Sequence, residues 1–267
     1  MRLSPTVLLV TATGTTFTIR SCNACFAMPK RVRTTAEALS QKELNLYKKS
    51  YKGGGRKDIH FAIFEGVKTW ITKETNDTVY RVLYPGCHRH LTASLIFPHV
   101  DYVDYDKKVA ALYHDAAAAQ YVETNKIYDQ EAIYTFRCRN VDKPISALLP
   151  GNFDLIISLS AGIMAEPCTP YVKQHGYLLV NDAHSDAKMA FTSDIWELKA
   201  YWQDGAFEDT LLAECFQAKD KKSGQVGPLS RKQAEEGVSI GSVNKRSYKL
   251  LFDPMFYLFQ KKLRNNL

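Results

Sequence analysis

Apolar and polar positions alternate along this chain in two registers, one with the 3.6-residue period of a helix and one with the two-residue period of a strand. Asp58 opens a segment in which Ile59, Ile63, Phe64, Val67, Trp70 and Ile71 recur at helical spacing, predicting an amphipathic helix that covers one side of the first strand. Residues 80–84 are an apolar strand-like run broken at Pro85-Gly86, and 91–97 has the spacing of a short helix. A second strand is expected over 101–105, ending in the carboxylates Asp104 and Asp106. An alanine-rich helix follows over 109–122, then a third strand over 133–138 with an exit loop at 139–142. Residues 153–160 are almost continuously apolar, as in the middle of a parallel sheet. A helix around 167–174 leads through His175-Gly176 to a strand at 177–180 and then to Asn181-Asp182-Ala183-His184. Farther on, 196–202 alternates like an edge strand, 219–232 reads as a polar, basic loop, and 233–236 as a short helix. Strands alternating with helices at this rhythm predict an α/β fold with a doubly wound sheet.

Three regions follow from the same pattern. Residues 1–35 read as a targeting presequence or a disordered basic tail, 36–56 as a polar helix and a linker at Gly53-Gly54-Gly55, and 57–267 as the α/β domain. The start carries Met1-Arg2, a weakly apolar stretch over 7–19 and a small-residue site at Asn23-Ala24-Cys25, then Phe26 and a basic segment without acids. This resembles the two-part presequence of algae with complex plastids and implies a plastid location, with a cytoplasmic protein bearing a basic tail as the alternative.

Charge changes the picture in one respect. The chain carries a net +7 with a pI near 9.0, which at first suggests a nucleic-acid partner. Ten bases against two acids fall in the first 56 residues, however, so the remainder is slightly acidic in sum and nucleic-acid binding is not supported. No apolar run approaches the roughly 20 residues a membrane-spanning helix needs. Cys22 and Cys25 have CxxC spacing without a second pair. Cys87, Cys138, Cys168 and Cys215 are scattered like reduced thiols. Asn76-Asp77-Thr78 is a glycosylation sequon that matters only on a secretory route.

A strand, a glycine turn, a helix and a second strand ending in an acid make the first half of a nucleotide-binding unit, which suits a dinucleotide or S-adenosylmethionine. The order Tyr80-Arg81-Val82-Leu83-Tyr84-Pro85-Gly86, Tyr102-Val103-Asp104, Phe153-Asp154-Leu155-Ile156-Ile157-Ser158 and Gly176-Tyr177-Leu178-Leu179-Val180 resembles the class I S-adenosylmethionine-dependent methyltransferases. The resemblance covers residues 57–200, with an echo at Phe256-Tyr257-Leu258-Phe259, where that family places its final antiparallel strand. It implies a mostly parallel, seven-stranded Rossmann-like sheet with helices on both faces. The family's acid-x-Gly-x-Gly-x-Gly loop falls on Tyr84, Gly86, His88 and His90, so only the first glycine is kept.

Carried over residue by residue, the resemblance implies S-adenosylmethionine as cofactor. Tyr84, Pro85, Gly86 and Cys87 would line its methionine side, with the Cys87 and His88 amides as contacts. Asp104 would accept from the ribose hydroxyls, Tyr105 would lie beside the adenine, Asn140 and Val141 along its edge, and Ser158 and Leu159 would face the sulfonium. Gly86 also reads as a plain turn glycine and Asp104 as a helix cap. His184, with Asp186, stands where open α/β sheets bind ligands and is the candidate base; a loop histidine bonded to Asp186 or Ser185 is the alternative. His88, His90, Asp104 and Asp106 would form a metal site only if the strand ends converged. The expected function is methyl transfer to a small-molecule or unknown acceptor. The alternatives are a non-catalytic binding or scaffolding domain and a dinucleotide oxidoreductase, the last lacking a full GxGxxG.

Overall fold

A computed structural model describes residues 35–76, 78–141, 143–240 and 242–263; the expected presequence, with Cys22 and Cys25, lies outside the described residues. The strands of the main sheet are β1 (Arg81–Pro85), β2 (His99–Asp104), β3 (Ile133–Cys138), β4 (Phe153–Ser158), β5 (Val172–Val180), β6 (Trp196–Gln203), β7 (Ala206–Glu208) and a late strand, β11 (Tyr257–Lys261). Their spatial order is β3-β2-β1-β4-β5-β11-β6-β7. β1 pairs parallel with β2 and β4, β2 with β3, and β4 with β5, while β11 runs antiparallel between β5 and β6. This is the expected doubly wound α/β sheet, including the antiparallel strand foreseen near Phe256-Phe259.

The strand count is eight rather than seven. The added strand is β7, which closes a hairpin with β6 through Asp204-Gly205, both at positive φ (50° and 89°). Asp-Gly is the dipeptide that such a two-residue turn demands. β6 is therefore interior, not the edge strand its alternation suggested. The basic loop expected at 219–232 instead contributes strands β8 (Gln217–Asp220) and β9 (Val226–Pro228). With β10 (Tyr248–Leu250) these form a separate three-stranded antiparallel sheet.

Period-two alternation sorts the core into two faces. Val82, Tyr84, Leu155, Ile157 and Leu179 are buried on one; Leu83, Ile156, Leu178 and Val180 are buried on the other. The first face packs under helices α1 (Thr35–Ser50), α2 (Ile59–Thr75), α3 (Ala110–Tyr113) and α4 (Ala116–Asn125). The second packs under α5 (Ala165–Cys168), α6 (Asp186–Phe191), α7 (Arg231–Ile240) and the small sheet, through Ala218, Tyr248 and Leu250. α2 begins as its sequence predicts, with the Asp58 carboxylate accepting from the His60 amide, and ends at Asn76 in the left-handed conformation.

Other boundaries move for identifiable reasons. The single helix expected over 109–122 is two, because Asp115 caps the Ala117 amide at 2.8 Å and restarts the helix. The helix expected around 167–174 stops early, with Pro170 in a 3-10 turn and the Lys261 ammonium on the Thr169 and Val172 carbonyls. Residues 172–174 belong to β5. Residues 36–56, read from sequence as a helix and linker ahead of the domain, are built into it: the chain from Thr34 on forms one compact unit. Leu44 and Tyr47 of α1 are buried in the core. The glycine run is a tight turn, since a side chain at Gly54 would stand 2.7 Å from the Tyr47 ring.

One buried charge crosses the outer strands. Asp101 on β2 accepts from Arg81 Nη2 at 3.0 Å and Thr135 Oγ1 at 2.6 Å, and from Arg137 Nη1. Burial opposes ionisation, but these donors hold the carboxyl below its usual range. Asp101→Ala leaves two guanidinium groups facing each other and is expected to cost about 3 kcal/mol, measured as a lowered urea midpoint at pH 7.

Candidate functional site

The carboxyl ends of β1, β2, β3 and β4 meet at one edge of the sheet, at the reversal in strand order between β1 and β4 where open α/β sheets bind ligands. Gly86 turns the chain at the end of β1 with φ of 60°. An added side chain there would lie 2.2 Å from the Ala161 Cβ, so the loop after β4 rests directly on the glycine turn. That loop is tied in turn to the exit of β5: Asn181 accepts from the Ser160 amide and its own amide group donates to Ser160 Oγ, both at 2.9 Å.

Asp104, at the end of β2, is buried and holds the β1 turn. One carboxylate oxygen accepts from the His88 amide at 2.8 Å and the other from the Asp106 amide at 2.9 Å. The amides of Gly86 and Cys87 are both directed to the Val103 carbonyl, at 2.8 and 3.5 Å. The Cys87 and His88 amides, expected as ligand contacts, are thus engaged within the fold. Tyr105 is 78% exposed beside this turn. Along the same edge, the Arg139 amide donates to the Asp104 carbonyl at 2.9 Å. A cavity of about 330 Å³ opens there, lined by Cys138, Arg139, Pro144 and Ile145. Asn140 is exposed and Val141 buried in this exit loop.

The remaining expected residues divide. Pro85 and Cys87 are buried at the turn, and burial pushes the Cys87 thiol up, out of the nucleophilic range. Tyr84 does not face the turn, because its ring enters the first face of the core and its hydroxyl bonds His90 Nδ1 at 2.7 Å. Ser158 donates to Asp186 at 2.6 Å, and the other oxygen of Asp186 accepts from the Ala165 amide at 3.1 Å; Leu159 is buried beside them. Asp186 is thus a buried brace whose carboxyl burial pushes upward against those donors, while His184 is exposed at the β5 exit. His88 is also exposed, with φ of 45°. The His88, His90, Asp104 and Asp106 side chains do not converge, since His90 turns into the core.

What His90 joins there is a cluster that sequence reasoning missed. The Asp58 carboxylate accepts four hydrogen bonds: from the His60 amide at 3.1 Å and ring at 2.9 Å, from His90 Nε2 at 2.7 Å, and from Thr92 Oγ1 at 2.5 Å. Tyr47 bonds Thr92 at 2.9 Å and accepts from the Gly55 amide at 3.0 Å, and the Tyr51 ring stacks on His90 at 4.0 Å. Asp58 was legible as a helix cap, but its partners 32 and 34 residues away carry no local signal. The ligand atoms of Asp58, His60 and His90 lie within 4.8 Å of one another. Each already has a hydrogen-bond partner, so the carboxylate is satisfied by the protein itself.

No protein-family model matches the chain, and no curated protein matches it in sequence. Solved structures with a similar arrangement include a SAM-dependent methyltransferase from Methanosarcina mazei, 11% identical, covering 69% of this chain and 93% of that one, with a TM-score of 0.36. The plantazolicin methyltransferase BpumL with a monoazolic desmethylPZN analog and S-adenosylhomocysteine (SAH) is 11% identical, covering 84% and 90%, with a TM-score of 0.40. The N-methyltransferase NodS from Bradyrhizobium japonicum WM9 with SAH is 13% identical, covering 58% and 76%, with a TM-score of 0.33.

Two outcomes follow from the geometry. Gly86→Ala combines a positive φ with the Ala161 clash and is expected to cost about 2 kcal/mol or more; adding Ala161→Gly recovers the steric part, read as paired urea midpoints. For the cluster, burial pulls the His90 imidazole down to about 4 despite the Asp58 hydrogen bond. The unfolded chain takes that proton near pH 6.5. Stability is therefore fully present above about pH 6.5 and is lost as pH falls through that window toward 4. Asp58, which hydrogen bonds hold low against the effect of burial, adds a loss at still lower pH. His90→Gln is expected to flatten the stability-against-pH curve between 6.5 and about 4, measured by urea unfolding at stepped pH.

Proposed function

We propose that this protein is an S-adenosylmethionine-dependent methyltransferase whose acceptor is a small molecule. The observation that carries the reading is the position of Asp104. A buried carboxylate closes β2 beside the β1 turn, at the reversal in strand order, with the cavity at the β3 exit next to it. Each of its oxygens already accepts one backbone amide, which leaves a second lone pair on each for a ribose diol. Tyr105, exposed beside the turn, would stack on the adenine, and the β3 cavity lined by Cys138 and Arg139 would take its edge. The donor set fits the adenosine half of the cofactor. It does not fit the usual cradle of loop amides, because those of Gly86, Cys87 and His88 are spent on Val103 and Asp104.

Bound there, S-adenosylmethionine supplies a methyl group activated by its sulfonium. The chain's own contribution is to place the acceptor in line and to keep water out. His184, exposed at the β5 exit, is the group we assign as base for an oxygen or nitrogen acceptor. Asp186 is occupied in bracing Ser158 and Ala165.

The same saturated amides, with Ala161 seated on Gly86, favour a second reading: a methyltransferase-like sheet retained as a non-catalytic binding domain. Calorimetric titration of the full chain separates the two. The enzyme reading expects heat with S-adenosylhomocysteine and none with NAD, and at least a tenfold weaker affinity in Asp104→Asn, which keeps one acceptor for the loop amide. Silence from S-adenosylhomocysteine overturns it.

A further inference from the structure

The same edge of the sheet holds a second cavity, of about 460 Å³, over the end of β5 and the start of β11. Its size lies in the range of small-molecule sites. Its floor is Asp182, just after β5, and Lys188 of α6; its far wall is Arg246, Lys249 and Asp253, and its rim includes Met255. The small three-stranded sheet supplies part of that wall through Tyr248, Lys249 and Leu250 of β10.

The charges around this cavity do not cancel. Lys188, Arg246 and Lys249 stand against two carboxylates, Asp182, paired with Lys188, and Asp253, which also accepts from the Tyr257 hydroxyl at 3.3 Å. Arg246 is buried and donates to the Gly237 carbonyl at 3.3 Å. Burial, with the charge of Arg246 added to it and that of Asp253 opposing, pulls the Lys188 ammonium down to about 8. Lys249 lies directly across the ladder from Lys219, both exposed on one face of the small sheet. Like charges opposite one another destabilise a strand pair. Among the described residues no acid pairs with Lys249. Above these cations the rim is apolar and exposed, with Val243 60% and Met255 56% accessible.

We propose that this cavity binds a small amphipathic carboxylate, its anionic group between Arg246 and Lys249 and its apolar body against Val243 and Met255. The cavity is linked to the cofactor edge through Asn181, which lines it and is bonded to Ser160, next to the Ala161 that covers Gly86. A ligand seated there is the acceptor, or carries it; this last identification rests on the methyltransferase reading, while the binding itself does not.

The test uses the full chain with methyl-labelled methionine, titrated with 4-phenylbutyrate, its neutral amide and 4-phenylbutylamine, each with and without S-adenosylhomocysteine. The carboxylate is expected to shift the Met255 methyl resonance and to bind at least tenfold more tightly than the amide or the amine. Lys249→Glu, at an exposed position that leaves the core untouched, is expected to remove that preference. Equal binding of the amide, tighter binding of the amine, no shift at Met255, or an unchanged preference in Lys249→Glu overturns the inference. Carboxylate binding without any response to S-adenosylhomocysteine upholds the site while removing its role as acceptor pocket. A response to S-adenosylhomocysteine without carboxylate binding overturns this inference alone.

Discussion

A single buried carboxylate gathers the first half of the chain. Asp58 caps α2, receives both donors of His60, and draws His90 and Thr92 in from the far side of β1. Thr92 brings Tyr47 of α1, and Tyr47 brings the Gly55 amide. Three segments, Tyr47 of α1, residues 55–60 and residues 90–92, are therefore held by one anion that, among the described residues, no lysine or arginine pairs with. An ionised group taken out of water is tolerated only when its lone pairs are filled. Four hydrogen bonds fill them, two from His60 at the start of α2 and two from His90 and Thr92 after β1, so breaking either of the second pair loosens the link between those segments.

The consequence reaches the functional edge. With Tyr84 and His90 committed to the core, the loop after β1 has only residues 85–89 with which to span the gap, and it closes on itself. Its amides go to Val103 and Asp104, and the Tyr113 hydroxyl donates to the His88 carbonyl at 2.5 Å. In a loop with three glycines the backbone would be free to offer amides outward. Here histidines occupy two of those positions, one exposed at positive φ and one buried. The Asp58 cluster and the closure of the β1 turn thus draw on the same residues, and in the proposed function recognition falls to the Asp104 carboxylate and the exit of β3.

How much of this was legible follows from the range over which each signal acts. β1 and β4 were readable because burial on both faces writes apolar residues into consecutive positions, and the antiparallel β11 because it is a short run of the same kind; β3, a half-buried edge strand, was readable from its β-branched and aromatic residues Ile133, Tyr134, Thr135 and Phe136. The β6–β7 hairpin was also written locally, in Asp204-Gly205, and was overlooked because the alternation of 196–202 suffices for a strand without a partner. The small sheet was not readable as such, since β8 and β10 expose alternate lysines and look like a solvated loop until Ala218 and Leu250 are seen against the second face. Site residues fared by the same rule. Gly86 and Asp104 belong to a local strand-turn-strand pattern, and both lie at the turn where that pattern puts them. The partners of Asp58, and the meeting of Lys188 with Arg246 and Lys249, depend on contacts between distant segments that leave no periodic trace.

The two ends of the functional edge then differ in kind. At β1 and β2 the structure is satisfied internally, with a carboxylate whose bonds are already half made. At β5 and β11 the cations Lys188, Arg246 and Lys249 outnumber the carboxylates Asp182 and Asp253 around the cavity by one. A fold that spends buried hydrogen bonds so completely around Asp58 and Asp101 has no packing reason to leave positive charge facing across a ladder between Lys219 and Lys249. Stability alone would favour an acid or a neutral residue at one of the two positions. The uncompensated charge lies on the wall of a cavity and beside an apolar rim, which is where binding energy, rather than folding energy, would be recovered.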